Sequence, residues 1–365
     1  MLLAGDDAYE IAMMYDMSTA KYYTDGLVRK WNDLPYVSFS ESWWAEEANT
    51  VFNIGGSQFA AVGDFSLSMH SRNYLYIFNK DMYSAQGDPK ALYDLVYGGR
   101  WTVDRLFGEG RKYVSDVDGN GVLDAGDRYG ITSAVKLEFG ALMAGAGIRY
   151  IEEKDGALHF ALSGNAYAAE VMQKLFDLHS DDTYKQFLSN SIDSTDFDFF
   201  FNGHTLFLGT SMKYIEKFRD MNADIGFLPI PKYTEEQERY FCLSAGGAVA
   251  LLPVTVPEDR LAYVGILLEA MSFASHDELV PAYLEETVKT KYTRDEDSVR
   301  MLQIIIDSSC YDLGVSVLTA KTQTVIMEKV YNKMNNVIVS TIASMEEAVE
   351  NELLKITEAG AGADT

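Results

Sequence analysis

The run from Ala61 to Asp81, AVGDFSLSMHSRNYLYIFNKD, constrains the fold of this chain more than any other stretch. Phe65, Leu67 and Met69 alternate with Ser66, Ser68 and His70, the period of a strand with one buried face. Past the polar break Ser71-Arg72-Asn73, Tyr74 to Phe78 is continuously apolar or aromatic, as in a strand buried on both faces. Two strands of unlike burial with no compact turn between them describe either neighbours in one sheet or a crossing between two layered units. In the second case the crossing is a hinge, and a hinge between two α/β lobes has a ligand cleft beside it.

The chain has the length for that second reading. At 365 residues it exceeds the ~250–300 at which a single hydrophobic core stops growing. Its apolar fraction of 47% is that of a folded globular protein. A formal net charge of −25 repels phosphate backbones and anionic lipid surfaces, and no basic patch offsets it, which argues against nucleic-acid and membrane-surface partners. No window approaches the ~20 uncharged apolar residues of a membrane span; Leu261 to Ala274 is interrupted by Glu269 and reads as a buried helix. The amino-terminal MLLAGDDAYE lacks a basic n-region and does not read as a signal peptide. Cys242 and Cys310 lie outside any metal-type spacing, and either pair with each other or sit apart in the core.

Tyr9 to Tyr15 reads as a strand with Asp16 and Ser18 at its carboxyl end, where open α/β sheets hold ligands. A short helix reaches Trp31 and stops at Asn32-Asp33-Leu34-Pro35. Trp43 and Trp44 open a helical stretch toward Val51, and Gly55-Gly56 turns a hairpin. Thr102 is placed to cap a helix running to Tyr113. Tyr129 to Ser133 is a strand, Phe139 to Gly147 a helix of small residues, and Asn165 to His179 a helix with Val171, Leu175 and Leu178 inward. The aromatic run from Phe197 turns at Asn202-Gly203 into a strand ending at Gly209. Met212 to Met221 is helical, Ile225 to Pro229 a strand, Leu243 to Leu252 a strand interrupted by glycines, and Pro257 to Ala274 a helix. From Ile326 to Leu353 apolar residues recur at three- and four-residue steps, a long amphipathic helix broken at Asn335-Asn336, and residues 359–365 form a disordered tail.

One loop carries readable chemistry. Asp116-Val-Asp-Gly-Asn-Gly-Val-Leu-Asp-Ala-Gly-Asp127 matches the twelve-residue calcium loop. Asp116, Asp118 and Asn120 supply side-chain oxygens, Gly121 the sharp turn and Val122 a backbone carbonyl. Asp124 acts through water, and Asp127 closes the loop in place of the usual Glu. Carboxylates this close repel one another unless a cation joins them, so the loop reads as a structural Ca²⁺ site against the alternative of a solvated acidic turn. Tyr129 onward reads as strand, so no second EF-hand helix follows.

Catalytic patterns are absent. His70, His159, His179, His204 and His276 show no HExxH spacing, and there is no GxSxG elbow, Walker loop or GxGxxG after a strand. Asp196 and Asp198 stand beside aromatics, the arrangement a glycosidase would use, or simply form a solvated turn.

Leu243 to Asp312 resembles an extracellular solute-binding protein of the carbohydrate-type family 1, the receptor component of ABC importers. The resemblance rests on SAGGAVALLP (244–253), PAYLEETVKTKYTRDEDSVRML (281–302) and YDLG (311–314). Upstream, LAGDDAYEIAM (3–13), DLPYVSFSESWW (33–44), AVGDFSLS (61–68), IFNKDMY (77–83) and RWTVDRL (100–106) fit it in order. So do the calcium-type loop with RYGIT, FNGHTLFLG (201–209) and DIGFLPIPKY (224–233).

The resemblance implies a periplasmic-binding-protein-like α/β fold, two lobes joined by crossing hinge strands and closing on a ligand between them. One lobe would hold residues 1–66 and 243–308, the other 72–240 and 312–358. It puts Tyr15 and Asp16 at the mouth of a cleft-facing strand, Asp64 on the first crossing, and Gly209, Thr210 and Ser211 on the opposite lobe. Trp43 and Trp44 stand either toward the ligand or in the core, and Trp101 packs at its helix start. Aromatic faces and carboxylates suit a sugar, with its C–H faces and hydroxyls. The implied protein is a non-enzymatic monomer that binds a sugar or oligosaccharide and delivers it to a membrane permease. Its setting would be extracellular, with a lipoprotein anchor in the full-length parent. Family members carry a lipid-bearing Cys, then a strand and a helix, ahead of the strand matching YEIAMMY. The chain as given lacks them and is expected to be less stable than a version with that segment restored. The competing expectations are a glycan-acting hydrolase using cleft carboxylates and a calcium-stabilised adhesion module.

Overall fold

The computed structural model describes residues 8–133, 138–185, 194–285, 295–331 and 337–362. Two sheets organise them. In the smaller, the aliphatic strand Ala248–Pro253 lies between Ala12–Tyr15 and Val28–Arg29, antiparallel to both. The helix Glu258–Ala274 sets Leu261, Val264 and Leu268 against Trp31, Trp44 and Ala250, closing a compact core on one face of this sheet.

The larger sheet runs Ile225–Pro229, Tyr74–Asn79, Thr205–Ser211, Tyr129–Ser133, Tyr184–Lys185. Tyr74–Asn79 is antiparallel to both neighbours, and all six of its residues are buried, as a run without polar alternation requires. Two of its helices start on side-chain caps. Thr102 Oγ1 accepts from Arg105 N (3.4 Å) ahead of Val103–Arg111, and Asn165 Oδ1 from Ala168 N (3.0 Å) ahead of Ala166–His179. Trp101 is buried at the first of these, its indole donating to Pro229 O (2.9 Å). The sequence expectation places residues 296–307 with the smaller sheet. The helix Glu296–Asp307 instead packs on Ile225–Pro229, with Tyr93 Oη and Ser298 Oγ 3.0 Å apart.

Chain segments pass between the sheets at two adjacent places. Ala61 bridges Ala250 of the smaller sheet, and the same segment, twelve residues on, bridges Ser244 through Asn73 before entering the larger one. Cys242–Leu243 runs parallel to Ser309–Cys310 beside it. The Ala61–Asp81 segment is therefore a crossing, not two strands of one sheet. Its first half is not a strand, however: 64–67 turn and Ser68–Ser71 form a single helical turn. The serines take the hydrogen bonds a ladder would need, Ser68 Oγ contacting both Ala248 N and Ala248 O at 3.2 Å. Cys242 and Cys310 are free buried thiols; burial pushes the Cys310 thiol up to about 12 and the Cys242 thiol higher still.

The helix Ile338–Gly362 lies across both units. Its Glu350 accepts from Phe160 N (2.7 Å) on the larger, and Gly360 O accepts from Ser57 Oγ (3.3 Å) on the smaller. Residues 359–362, expected to be disordered, are thus helical, held by the buried contact of Gly360 with Ser57. The break expected at Asn335-Asn336 lies outside the described residues. Among the described residues, no helix is long and apolar enough to cross a membrane.

Candidate functional site

Where the Ala12–Tyr15 strand ends, it meets the turn Gly246-Gly247. Gly246 has φ +74°, and a Cβ there would lie 2.6 Å from Tyr15 Oη, so only glycine lets the phenol settle on the backbone. Asp16 is buried beneath it. Its Oδ1 accepts from Met17 N (2.7 Å), its Oδ2 from Gly246 N (3.1 Å), and Asp16 N donates to Gly247 O (3.0 Å). Burial pushes the Asp16 carboxyl up to about 6 against the pull of these donors and of Arg72.

Arg72 comes from the crossing itself, with its stem 3.5 Å from the Cβ position of Gly247. Opposite it, the strand Thr205–Ser211 leads into the 3₁₀ segment Met212–Phe218, tied down by Met212 N donating to Asn73 O (2.9 Å). This brings Lys213 and Tyr214 within electrostatic range of Arg72. Burial and then the Arg72 charge lower the Lys213 ammonium, and burial raises the Tyr15, Tyr74 and Tyr214 phenols. Asp16, Ser68, Arg72, Ser244 and Tyr311 wall a cavity of ≈ 10 Å³ below, room for about one water. Arg72 Nε, Thr210 Oγ1 and Ser211 Oγ are buried without a hydrogen-bond partner among the described residues. Both units and the crossing between them therefore contribute polar groups to one place.

Other residues singled out in the sequence are engaged within the protein. The indoles of Trp43 and Trp44 both donate to the Glu269 carboxylate, each at 3.0 Å. Trp44 is buried among the rings of Trp31, Phe39 and Phe65, and Trp43 packs edge-on against Phe273. Asp64 is buried between two histidines, 2.8 Å from His70 Nε2 and 2.5 Å from His276 Nδ1. Gly209 is backed by Glu138, whose Oε1 would lie 2.8 Å from a Cβ; the Tyr76 and Tyr184 phenols donate to that same carboxylate. Asp198 is exposed on the helix Ser194–Phe201, and the Asp196 side chain lies outside the described residues.

Sequence reasoning does not single out Arg72, Lys213, Tyr214 or Ser68 as site residues. The available signal for Arg72 is that it interrupts the Ala61–Asp81 run, where it reads only as a spacer. Lys213-Tyr214 follows closely on Gly209–Ser211.

In the acidic loop, carboxylate oxygens of Asp116, Asp118 and Asp127 come within 4.8 Å of one another. Gly121 N and Gly119 N donate to Asp116 (2.7 Å each), and these backbone donors hold its carboxyl below the usual range. Asp127 is buried and accepts from Val117 N and Asp124 N. Asn120 Oδ1 accepts from Val122 N (2.7 Å), and Asp124 Oδ1 from Gly126 N (2.7 Å). The convergent group is three carboxylates, without Asp124. The strand Tyr129–Ser133 follows the loop.

No protein-family model matches the sequence, and no curated protein matches it. Solved structures do match its fold. An ABC substrate-binding protein from Listeria monocytogenes, Lmo0181 in complex with cycloalternan, superposes with a TM-score of 0.60 at 14% identity, over 96% of this chain and 86% of that one. A cyclo/maltodextrin-binding protein complexed with maltotetraose gives 0.61 at 16%, over 98% and 83%. Maltose-bound MalE3 of T. maritima gives 0.60 at 12%, over 95% and 86%. The chain therefore has the two-lobed α/β fold of periplasmic sugar-binding proteins.

Proposed function

We propose that this chain is a solute-binding protein that captures a sugar or oligosaccharide between its two lobes and hands it to an ABC-type importer outside the membrane. The observation that carries the reading is the junction at Arg72. Groups from the smaller sheet (Tyr15, Gly246), from the crossing (Ser68, Arg72) and from the larger sheet (Ser211, Lys213, Tyr214) meet there in a fold otherwise seen holding oligosaccharides. Tyr15, 48% exposed, and Tyr214 offer ring faces for the C–H side of a pyranose. Capture then works by population shift. A ligand that touches both lobes only when they close stabilises the closed state by that difference in contact. No bond is made or broken.

We further propose that the 116–127 loop holds a structural calcium ion on Asp116, Asp118 and Asp127, three hard oxygen donors with Asp127 anchored by backbone N–H groups.

The test of the main proposal is a thermal-shift screen with mono- and oligosaccharides, amino acids and polyamines, followed by calorimetry. Saturable binding of a saccharide without turnover is the expected outcome. Products accumulating from the bound sugar, or binding confined to the non-sugar ligands, would overturn it.

A further inference from the structure

The carboxylates and indoles that a neutral sugar would want from this cleft are already engaged. Carboxylates usually take sugar hydroxyls, yet the oxygens of Asp16 are held by Met17 N and Gly246 N, and those of Asp64 by His70 and His276. The two indoles that could stack on a ring are pinned to Glu269. What the structure leaves for a ligand is two cations, Arg72 and Lys213, beside the hydroxyls of Thr210 and Ser211, unpartnered among the described residues. Arg72 makes no ion pair and no hydrogen bond among the described residues, and its buried Nε–H is unpartnered. Lys213 is exposed, its ammonium 5.4 Å from the Tyr214 ring centroid, and likewise makes no ion pair among the described residues. Met212 N donating to Asn73 O (2.9 Å) sets the segments of Arg72 and Lys213 side by side, and their repulsion is part of what lowers the Lys213 ammonium. The remaining charged or titratable groups around them are Asp16, Glu216 and the phenols of Tyr15, Tyr74 and Tyr214.

We infer that the ligand is an acidic saccharide whose carboxylate or sulfate ester is gripped between Arg72 and Lys213 while Tyr15 and Tyr214 contact its rings. This rests on the sugar-binding reading above and narrows it. An anion between the two cations relieves their repulsion, satisfies the orphaned Arg72 N–H, and bridges the crossing to the larger sheet. Charge-assisted contacts to a guanidinium are about twice as strong as neutral ones, so the acidic group, not the hydroxyls, sets the affinity. A neutral oligosaccharide would leave both cations unpaired inside a closing cleft.

Calorimetry on the whole chain with three matched trisaccharides tests it: a trigalacturonate, its neutral galactose counterpart, and a sulfated neutral trisaccharide. Binding of either acidic ligand at least ~10-fold tighter than the neutral one is expected, the two acidic arms telling a carboxylate from a sulfate ester. Arg72→Met should weaken the acidic ligand roughly 10–100-fold, and Lys213→Met, at an exposed position that folding does not need, several-fold. A melt of each variant without ligand separates lost binding from lost folding. Equal or tighter binding of the neutral trisaccharide, or affinity for the acidic ligands unchanged in Lys213→Met, overturns the inference and leaves the sugar-binding reading standing. Failure of all three, together with every saccharide of the wider screen, overturns that reading as well.

Discussion

Asp16→Asn should change how stability depends on pH, and by an amount the structure sets. The Asp16 carboxyl is buried with its pKa raised to about 6 from the ordinary 3.8. The native state therefore keeps this proton up to about pH 6, whereas the unfolded chain releases it near its ordinary value. Between those limits the native state binds more protons, so stability falls as pH rises, and the penalty is complete above about pH 6. At about 1.4 kcal/mol for each pH unit between the two values, the penalty comes to about 3 kcal/mol. Asparagine cannot ionise, so Asp16→Asn removes this slope. It also places an amide near the Met17 and Gly246 N–H donors, which adds an offset independent of pH. Urea unfolding of both proteins from about pH 4 to pH 7 separates the two effects. Wild type should lose about 2.4 kcal/mol relative to the variant over that range, the rest of the penalty falling below pH 4. Asp312, also raised to about 6 by burial, titrates identically in both proteins and cancels in the difference. Parallel curves would show that Asp16 is either solvated or held ionised by its backbone donors and Arg72, and would refute the burial reasoning.

Glu269→Ala should cost about 2–4 kcal/mol, because two indole N–H groups lose a charged acceptor and that of Trp44 stays buried; chemical denaturation followed by tryptophan emission reads both changes, and a loss under about 0.5 kcal/mol would contradict it. Millimolar Ca²⁺ should raise the melting temperature, and Asp118→Asn with Asp127→Asn should abolish the rise; calorimetry with no heat of binding would dispose of the calcium proposal.

Features encoded within a few residues are legible in the sequence alone. The Thr102 cap, the helix to His179, the hairpin at Gly55-Gly56, the 129–133 strand and the turn geometry of the acidic loop are largely set by neighbours within about a dozen residues. The strand expected over Phe65–Met69, which the fold replaces with a turn, shows the limit of that kind of evidence. Five alternating residues fit a period of two, but the same serines can cap a turn, and Ser68 is bonded to Ala248, 180 residues on. Alternation cannot say which partner a hydroxyl will find. The Glu296–Asp307 helix has the same difficulty in reverse. Its amphipathic face is legible, but not which sheet it covers, and Tyr93 and Ser298 settle that across 205 residues.

The site is less legible for a physical reason that also bears on the ligand. The family resemblance, read with the aromatic and acidic residue types that suit a sugar, points to Trp43, Trp44 and Asp64. Each has a partner more than 200 residues away: Glu269 for the indoles, His276 for the carboxylate. Burying such groups without partners would be costly, so a fold that encloses them supplies the partners itself and leaves them saturated. Arg72 stands on the other side of that balance. It lies in a stretch that reads as a spacer, and among the described residues it emerges unpaired because the crossing that carries it belongs fully to neither core. A cleft formed where a chain leaves one packed unit for another will collect such unsatisfied groups, since neither interior has the geometry to pair them. The groups most open to a ligand here are thus those the two cores did not use, the Arg72 guanidinium with the Thr210 and Ser211 hydroxyls.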